Sequence, residues 1–161
     1  MKLRHLFFAC SGVFVMMFSL LLLVVIVFSD EEDGGSSENL IYGGVSISQE
    51  VLAHKPMLEK YAREYGIEEY LNVLLAIIQV ESGGTLEDVM QSSESLGLPP
   101  NSLSTEESIK QGCKYFSELL AAAETKGCDL NSVIQSYNYG GGFLDYVAGR
   151  GKKYTFELAV D

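Results

Sequence analysis

The sequence is poor in basic residues, proline and cysteine, and it has no clear strand pattern. Eleven lysines and arginines face 22 acids, a formal charge of −11. Outside Gly149–Lys153 the cations are scattered, which leaves a nucleic-acid role without support. No run alternates apolar and polar residues, so a β-rich fold is excluded and an all-α one expected. No internal repeat is visible, which argues against a solenoid. Of three cysteines, Cys113 and Cys128 are the pair that could bridge. Cys113 reads as mid-helix, and the roughly dozen helical residues to Thr125 cover about 18 Å. Bridged Cα atoms lie at most about 7 Å apart, so both are expected to be free thiols, with Cys113 in the core.

Charge is also missing from the 23 residues Leu6–Phe28, which are rich in Leu, Val, Phe and Met. About 20 such residues span a bilayer, more than a cleaved signal peptide needs. Lys2 and Arg4 precede the run and Asp30, Glu31, Glu32 and Asp33 follow it. That asymmetry puts the N-terminus in the cytoplasm and the rest outside. Cys10 has almost no apolar segment before it and reads as a membrane residue, not a lipid attachment site. Three regions are expected: a cytoplasmic stub and membrane anchor over 1–29, an acidic Ser/Gly-rich tether over 30–46, and one domain over 47–161.

The centre of that domain is Tyr70–Val80, where only Asn72 and Gln79 are polar. A helix apolar nearly all round belongs inside a core. It runs into Glu81-Ser82-Gly83-Gly84, whose glycines can take the left-handed conformation that stops a helix. Glu81 then sits at the negative end of the helix dipole, and burial there would further favour its protonated form. A carboxylic acid kept neutral near pH 7 is what general acid catalysis requires.

Around this helix the pattern is helical throughout. Ser48 opens an amphipathic stretch with Val51, Leu52, Met57, Leu58, Tyr61 and Tyr65 as apolar positions, in which Pro56 predicts a kink or break. Gly66 ends it and Glu68-Glu69 opens the central helix. Thr85–Leu103 has loop character, and a loop that long inside a compact domain is usually functional or disordered. Ser104 and Glu107 form a capping-box signature before a helix with Ile109, Cys113, Phe116 and Leu120 on one face. Asp129 caps a further helix that the glycines after Tyr139 break. Phe143, Tyr146 and Val147 suggest one more short helix, and Tyr154–Val160 the start of another.

Three patches remain: Glu81-Ser82-Gly83-Gly84, Asp88-Val89-Met90-Gln91-Ser92-Ser93-Glu94-Ser95 and Ser136-Tyr137-Asn138-Tyr139-Gly140. Together, in this order, they resemble the lysozyme-like muramidase domain of extracellular cell-wall hydrolases in Gram-positive bacteria. Goose-type lysozymes and soluble lytic transglycosylases are more distantly similar. The resemblance covers about residues 48–154. It implies a single lysozyme-like helical domain, no metal and no cofactor. It also implies cleavage of the β-1,4 bond between N-acetylmuramic acid and N-acetylglucosamine in peptidoglycan glycan strands.

Carried over by position, Glu81 matches the catalytic acid, Gln91 the glutamine that lines the sugar cleft, and Tyr137 and Asn138 the pair facing the acid. Ser82 and Ser92 fall in the same motifs as candidate substrate contacts. Asp88 and Glu94 are the candidates for the second carboxylate that most glycoside hydrolases use. Many such hydrolases are carried by conjugative elements, so cell-wall or conjugation machinery is a candidate partner, beside the membrane held by the N-terminal helix. Two other readings stay open. A lytic transglycosylase needs only the acid and leaves anhydro-muramic ends, and a non-catalytic module would merely bind glycan or scaffold a secretion complex. Asp88-Val89 stands where transglycosylases commonly have Gly-Leu, and the retained Glu81 argues against a binding-only module.

Overall fold

The computed structural model describes residues 41–42 and 45–160. The expected membrane anchor and most of the tether lie outside the described residues. Among those described, no helix is long and apolar enough to cross a membrane. A two-residue hairpin, β1 (Ile41–Tyr42) and β2 (Val45–Ser46), pairs Ile41 with Ser46 and Tyr42 with Val45. The α-helices that follow are α1 (Gln49–Ala53), α2 (Lys55–Glu64), α3 (Leu71–Glu81), α4 (Thr105–Lys126), α5 (Leu130–Tyr139), α6 (Gly142–Ala148) and α7 (Phe156–Val160).

Local sequence accounts for most of these limits. Pro56 falls in the first turn of α2, where its missing N–H has no helical partner to lose, and the chain breaks at His54 between α1 and α2. Gly66 takes φ +67° after α2. Glu68–Tyr70 then forms a 3₁₀ turn before α3 begins, so the two acids open the central helix through a tighter turn than expected. The Ser104–Glu107 capping box forms as the sequence implies, and the Asp129 carboxylate accepts from the Ser132 amide at the start of α5.

The core closes around α3. Val73, Leu74, Leu75, Ala76, Ile77 and Ile78 are all buried, from 0% to 7% exposed. Phe116 of α4, fully buried, meets Tyr70 edge-on at 5.8 Å between ring centroids and Tyr137 of α5 at 6.4 Å. Cys113 is buried and Cys128 half-buried, and both are free. A smaller cluster of Phe143, Val147 and Ala159 seats α7 on α6. The Tyr139 hydroxyl donates to the Ala159 carbonyl at 2.9 Å across that seam.

Thr85–Leu103 departs from its loop reading. Asp88, Val89 and Met90 are fully buried, and Ser92–Leu96 coils into a 3₁₀ turn. Asp88 is the physical reason. Its carboxylate receives the Ser92 amide at 2.9 Å and the Ser93 amide at 3.2 Å, satisfying the free N–H groups that start that turn.

Candidate active site

Glu81 is the last residue of α3, and the chain behind it turns through Gly83 (φ +61°) and Gly84 (φ +78°). Gly84 is needed for space as well as for φ. A Cβ there would lie 2.7 Å from the Val51 nitrogen and 2.8 Å from the Glu50 carbonyl carbon, so the backbone of α1 rests directly on the turn. Three bonds hold it there. The Ser48 amide donates to Gln79 Oε1 at 2.7 Å, and the Ser48 hydroxyl to the Gly83 carbonyl at 3.3 Å. His54 Nε2 donates to the Gly84 carbonyl at 2.9 Å. Gln79, one of two polar residues before Glu81 in an apolar helix, is thereby explained.

The second patch is tied to the first through Ser82. Its hydroxyl donates to the Val89 carbonyl at 2.7 Å and accepts from the Gly84 amide at 3.0 Å. Below the loop, the Ser108 hydroxyl of α4 donates to Asp88 Oδ1 at 2.6 Å and accepts from the Met90 amide at 3.0 Å. Ser92 donates its hydroxyl to the Ser108 carbonyl at 2.9 Å. Asp88 and Ser92 are 0% and 2% exposed and lie beneath the surface of the site, not on it. Gln91 is half-buried and Glu94 exposed.

The third patch arrives from α5. Tyr137 stacks obliquely on Tyr115 at 5.5 Å, and its hydroxyl donates to the Met90 carbonyl at 3.1 Å. Gly112 of α4 makes this approach possible. A Cβ there would lie 2.5 Å from Met90 Sδ and 2.8 Å from the Tyr137 hydroxyl. Asn138 is half-buried, and among the described residues nothing bonds its side chain.

The electrostatics single out one group. Among the described residues no cation pairs with Glu81 and no donor reaches its carboxyl. Burial, then the charges of Glu94 and Asp88, push its pKa from the ordinary 4.5 up to about 7. Burial and then Glu81 hold the Tyr137 phenol well above its ordinary range, so these two side chains feel each other. Glu81, Tyr137 and the loop bearing Gln91 and Glu94 thus come together, while Ser82, Asp88 and Ser92 serve as the frame beneath. Among the described residues no three His, Cys, Asp or Glu side chains group to hold a metal.

The sequence reading missed Ser48, Gln79, Ser108 and Gly112. Ser108 and Gly112 had a weak signal: two small residues four apart, beside the apolar stripe of α4. A groove of ≈ 510 Å³ between Tyr65, Tyr70, Leu120 and Cys128 contains none of the site residues.

Comparison with known proteins gives the same picture of the domain. The lysozyme-like family model matches residues 48–161. The chain is 46% identical over 121 residues to the bifunctional muramidase/DL-endopeptidase CwlT of Bacillus subtilis (strain 168), covering 74% of this chain and 36% of that protein. It is 41% identical over 113 residues to the pneumococcal vaccine antigen A homolog of Streptococcus pyogenes serotype M1, covering 70% and 57%. A crystal structure from Staphylococcus aureus subsp. aureus Mu50, described as similar to a lipoprotein of the NLP/P60 family, superposes with a TM-score of 0.71. Its identity is 76%, over 71% of this chain and 39% of that one. The chain therefore spans between about a third and three fifths of these relatives. With its family model matched over the whole helical domain and the three motif patches gathered at the end of one buried helix, the chain belongs to the lysozyme-like family.

Proposed function

We propose that the chain is a peptidoglycan hydrolase that cuts the β-1,4 bond between N-acetylmuramic acid and N-acetylglucosamine, with Glu81 as general acid. One observation carries this. Among the described residues Glu81 ends a buried helix without cation or donor, and its pKa near 7 leaves about half of it protonated at neutral pH. A glycosidic oxygen leaves readily only when protonated, and this carboxyl has the proton to give. The CwlT relationship supports the wall as substrate.

The second carboxylate is assigned to Glu94. It is exposed and raises the Glu81 pKa more than Asp88 does, so it can meet water or sugar near the acid. Asp88 is sealed, and its oxygens are taken by Ser92, Ser93 and Ser108. That same sealing favours one rival, a lytic transglycosylase, which manages with Glu81 alone. Leu6–Phe28 anchors the chain in the membrane with this domain outside, facing the wall, in company with cell-wall or conjugation machinery. Digestion of purified peptidoglycan followed by mass analysis tests the reaction. Reducing muramic ends support hydrolysis, anhydro ends the transglycosylase, and no soluble product from an active-site-intact protein refutes both.

A further inference from the structure

We propose that Asn101 is a positioning residue for substrate recognition: it takes up the last amide proton of Gln91 and leaves that side chain only an acceptor oxygen for the sugar. Gln91 Nε2 donates to the Asp88 carbonyl at 2.8 Å and to Asn101 Oδ1 at 2.8 Å. Chemistry fixes which end of each amide is which. The Asp88 carbonyl carries no proton, so the Gln91 atom facing it must be nitrogen. That nitrogen's second proton then faces Asn101, whose facing atom must be oxygen. A primary amide has two protons, and both are spent. Among the described residues nothing donates to Gln91 Oε1.

The consequence is a polarity. Without Asn101 the amide would be held by the Asp88 carbonyl alone and its second N–H would be free, so the side chain would offer a donor beside its acceptor. With it, a sugar at this point meets an acceptor and is read through an N–H or O–H. In a polymer of 2-acetamido sugars, the acetamido N–H is the donor that sets it apart from a plain glucan.

Asn101 is held for this task. It adopts φ +57° and Gln91 φ +47°, the left-handed region that asparagine tolerates better than most residues. The segment leading to it is pinned by the Leu98 amide donating to the Ser93 carbonyl at 3.1 Å. The Gly97 amide likewise donates to the Glu94 carbonyl at 2.9 Å. The Ser102 hydroxyl donates back to the Pro99 carbonyl.

This inference rests on the proposed wall-cutting activity, and the test separates the two. Initial rates on solubilised, uncrosslinked peptidoglycan strands are compared for the wild-type chain, Asn101→Gly and Asn101→Asp, each at its own pH optimum. Glycine accepts φ +57° at least as well as asparagine, so a merely conformational role leaves Asn101→Gly unchanged. The positioning role predicts a KM raised roughly three- to tenfold with kcat held, as loss of one uniform hydrogen bond would give. Asn101→Asp keeps the acceptor and recovers the wild-type KM. An Asn101→Gly protein with wild-type KM, or an Asp variant no better than Gly, overturns the assignment and leaves the muramidase reading standing. A wild-type chain that cuts no strands overturns both.

Discussion

The Ser108 hydroxyl donates to the Asp88 carboxylate at 2.6 Å inside a region that water does not reach. The same oxygen receives the Met90 amide at 3.0 Å, so one small side chain of α4 joins both ends of the Asp88–Met90 segment. With the Ser92 and Ser93 amides also on Asp88, the carboxylate has three donors and no exposed edge. We infer that such a group fixes the loop and is not the second carboxylate of the reaction. Ser108→Ala strands the Met90 amide and should cost about 1–3 kcal/mol. Asp88→Asn, which turns an acceptor into a donor facing other donors, should cost at least a similar amount. Chemical denaturation measures both, and wall-cutting activity should fall in parallel. An Asp88→Asn protein of wild-type stability and no activity would make Asp88 a chemical participant after all.

Gly112 allows a second test of the frame. Alanine in a helix interior is normally favoured over glycine by about 1 kcal/mol. Here a Cβ would meet Met90 and the Tyr137 hydroxyl at 2.5–2.8 Å, both in a filled core. Gly112→Ala should therefore destabilise, by about 1–3 kcal/mol as overpacking does. It should also lower activity by shifting Tyr137 against Glu81. Gly142, which opens α6 and where an added Cβ would have nothing within 4 Å, is the control. Gly142→Ala should be neutral or stabilise by up to about 1 kcal/mol. Equal melting temperatures for the two variants would contradict the packing argument.

The helices and their ends are legible in the sequence because each rests on neighbours along the chain: Pro56 and the break at His54, Gly66, the Ser104–Glu107 box, the Asp129 cap. Glu81 is legible for the same reason, an acid placed between an apolar run and two glycines. What sequence does not reveal is the traffic between distant segments. Asp88 looks like a candidate catalytic carboxylate because its partners, Ser92, Ser93 and Ser108, gain meaning only when α4 passes beneath the loop. Gln79 and Ser48 are 31 residues apart and look unrelated until the start of α1 lies on the Gly84 turn. The helix dipole points to a raised Glu81 pKa, yet burial is the larger cause, followed by Glu94 and Asp88.

The two cysteines of the domain should differ sharply in reactivity. Burial drives the Cys113 thiol up to about 12, and burial also raises that of the half-buried Cys128. Thiolate is the reactive form, so neither alkylates fast at pH 7. Under mildly alkaline conditions iodoacetamide should label Cys128 slowly and Cys113 only after denaturant is added. Peptide mapping by mass reads the order, and a Cys113–Cys128 disulfide in the native protein would overturn the helix-length argument.

Glu81 links activity and stability through one proton. Its pKa of about 7 lies above the ordinary 4.5, so between those values the folded state holds a proton that the unfolded state has released. Stability attributable to this residue is therefore highest below about pH 4.5 and declines as pH rises through 7, where the folded protein must carry the charge at a half-buried site. The full decline is at most on the order of 3 kcal/mol, since one pKa unit corresponds to about 1.4. Glu81→Gln keeps the shape without the charge, so it should match wild type at about pH 4.5 and exceed it at about pH 8 in urea denaturation. The same variant should lose about 10²–10⁴ in cutting rate, the usual worth of a general acid. Wild-type activity should fall above about pH 7 as the acid ionises, and Glu94→Gln, which costs activity as the proposed second carboxylate, should move the Glu81 titration itself downward, as read by NMR, by removing a neighbouring negative charge. If Glu81→Gln keeps full activity, Glu81 is not the acid; if its stability tracks wild type across pH, Glu81 does not carry a raised pKa.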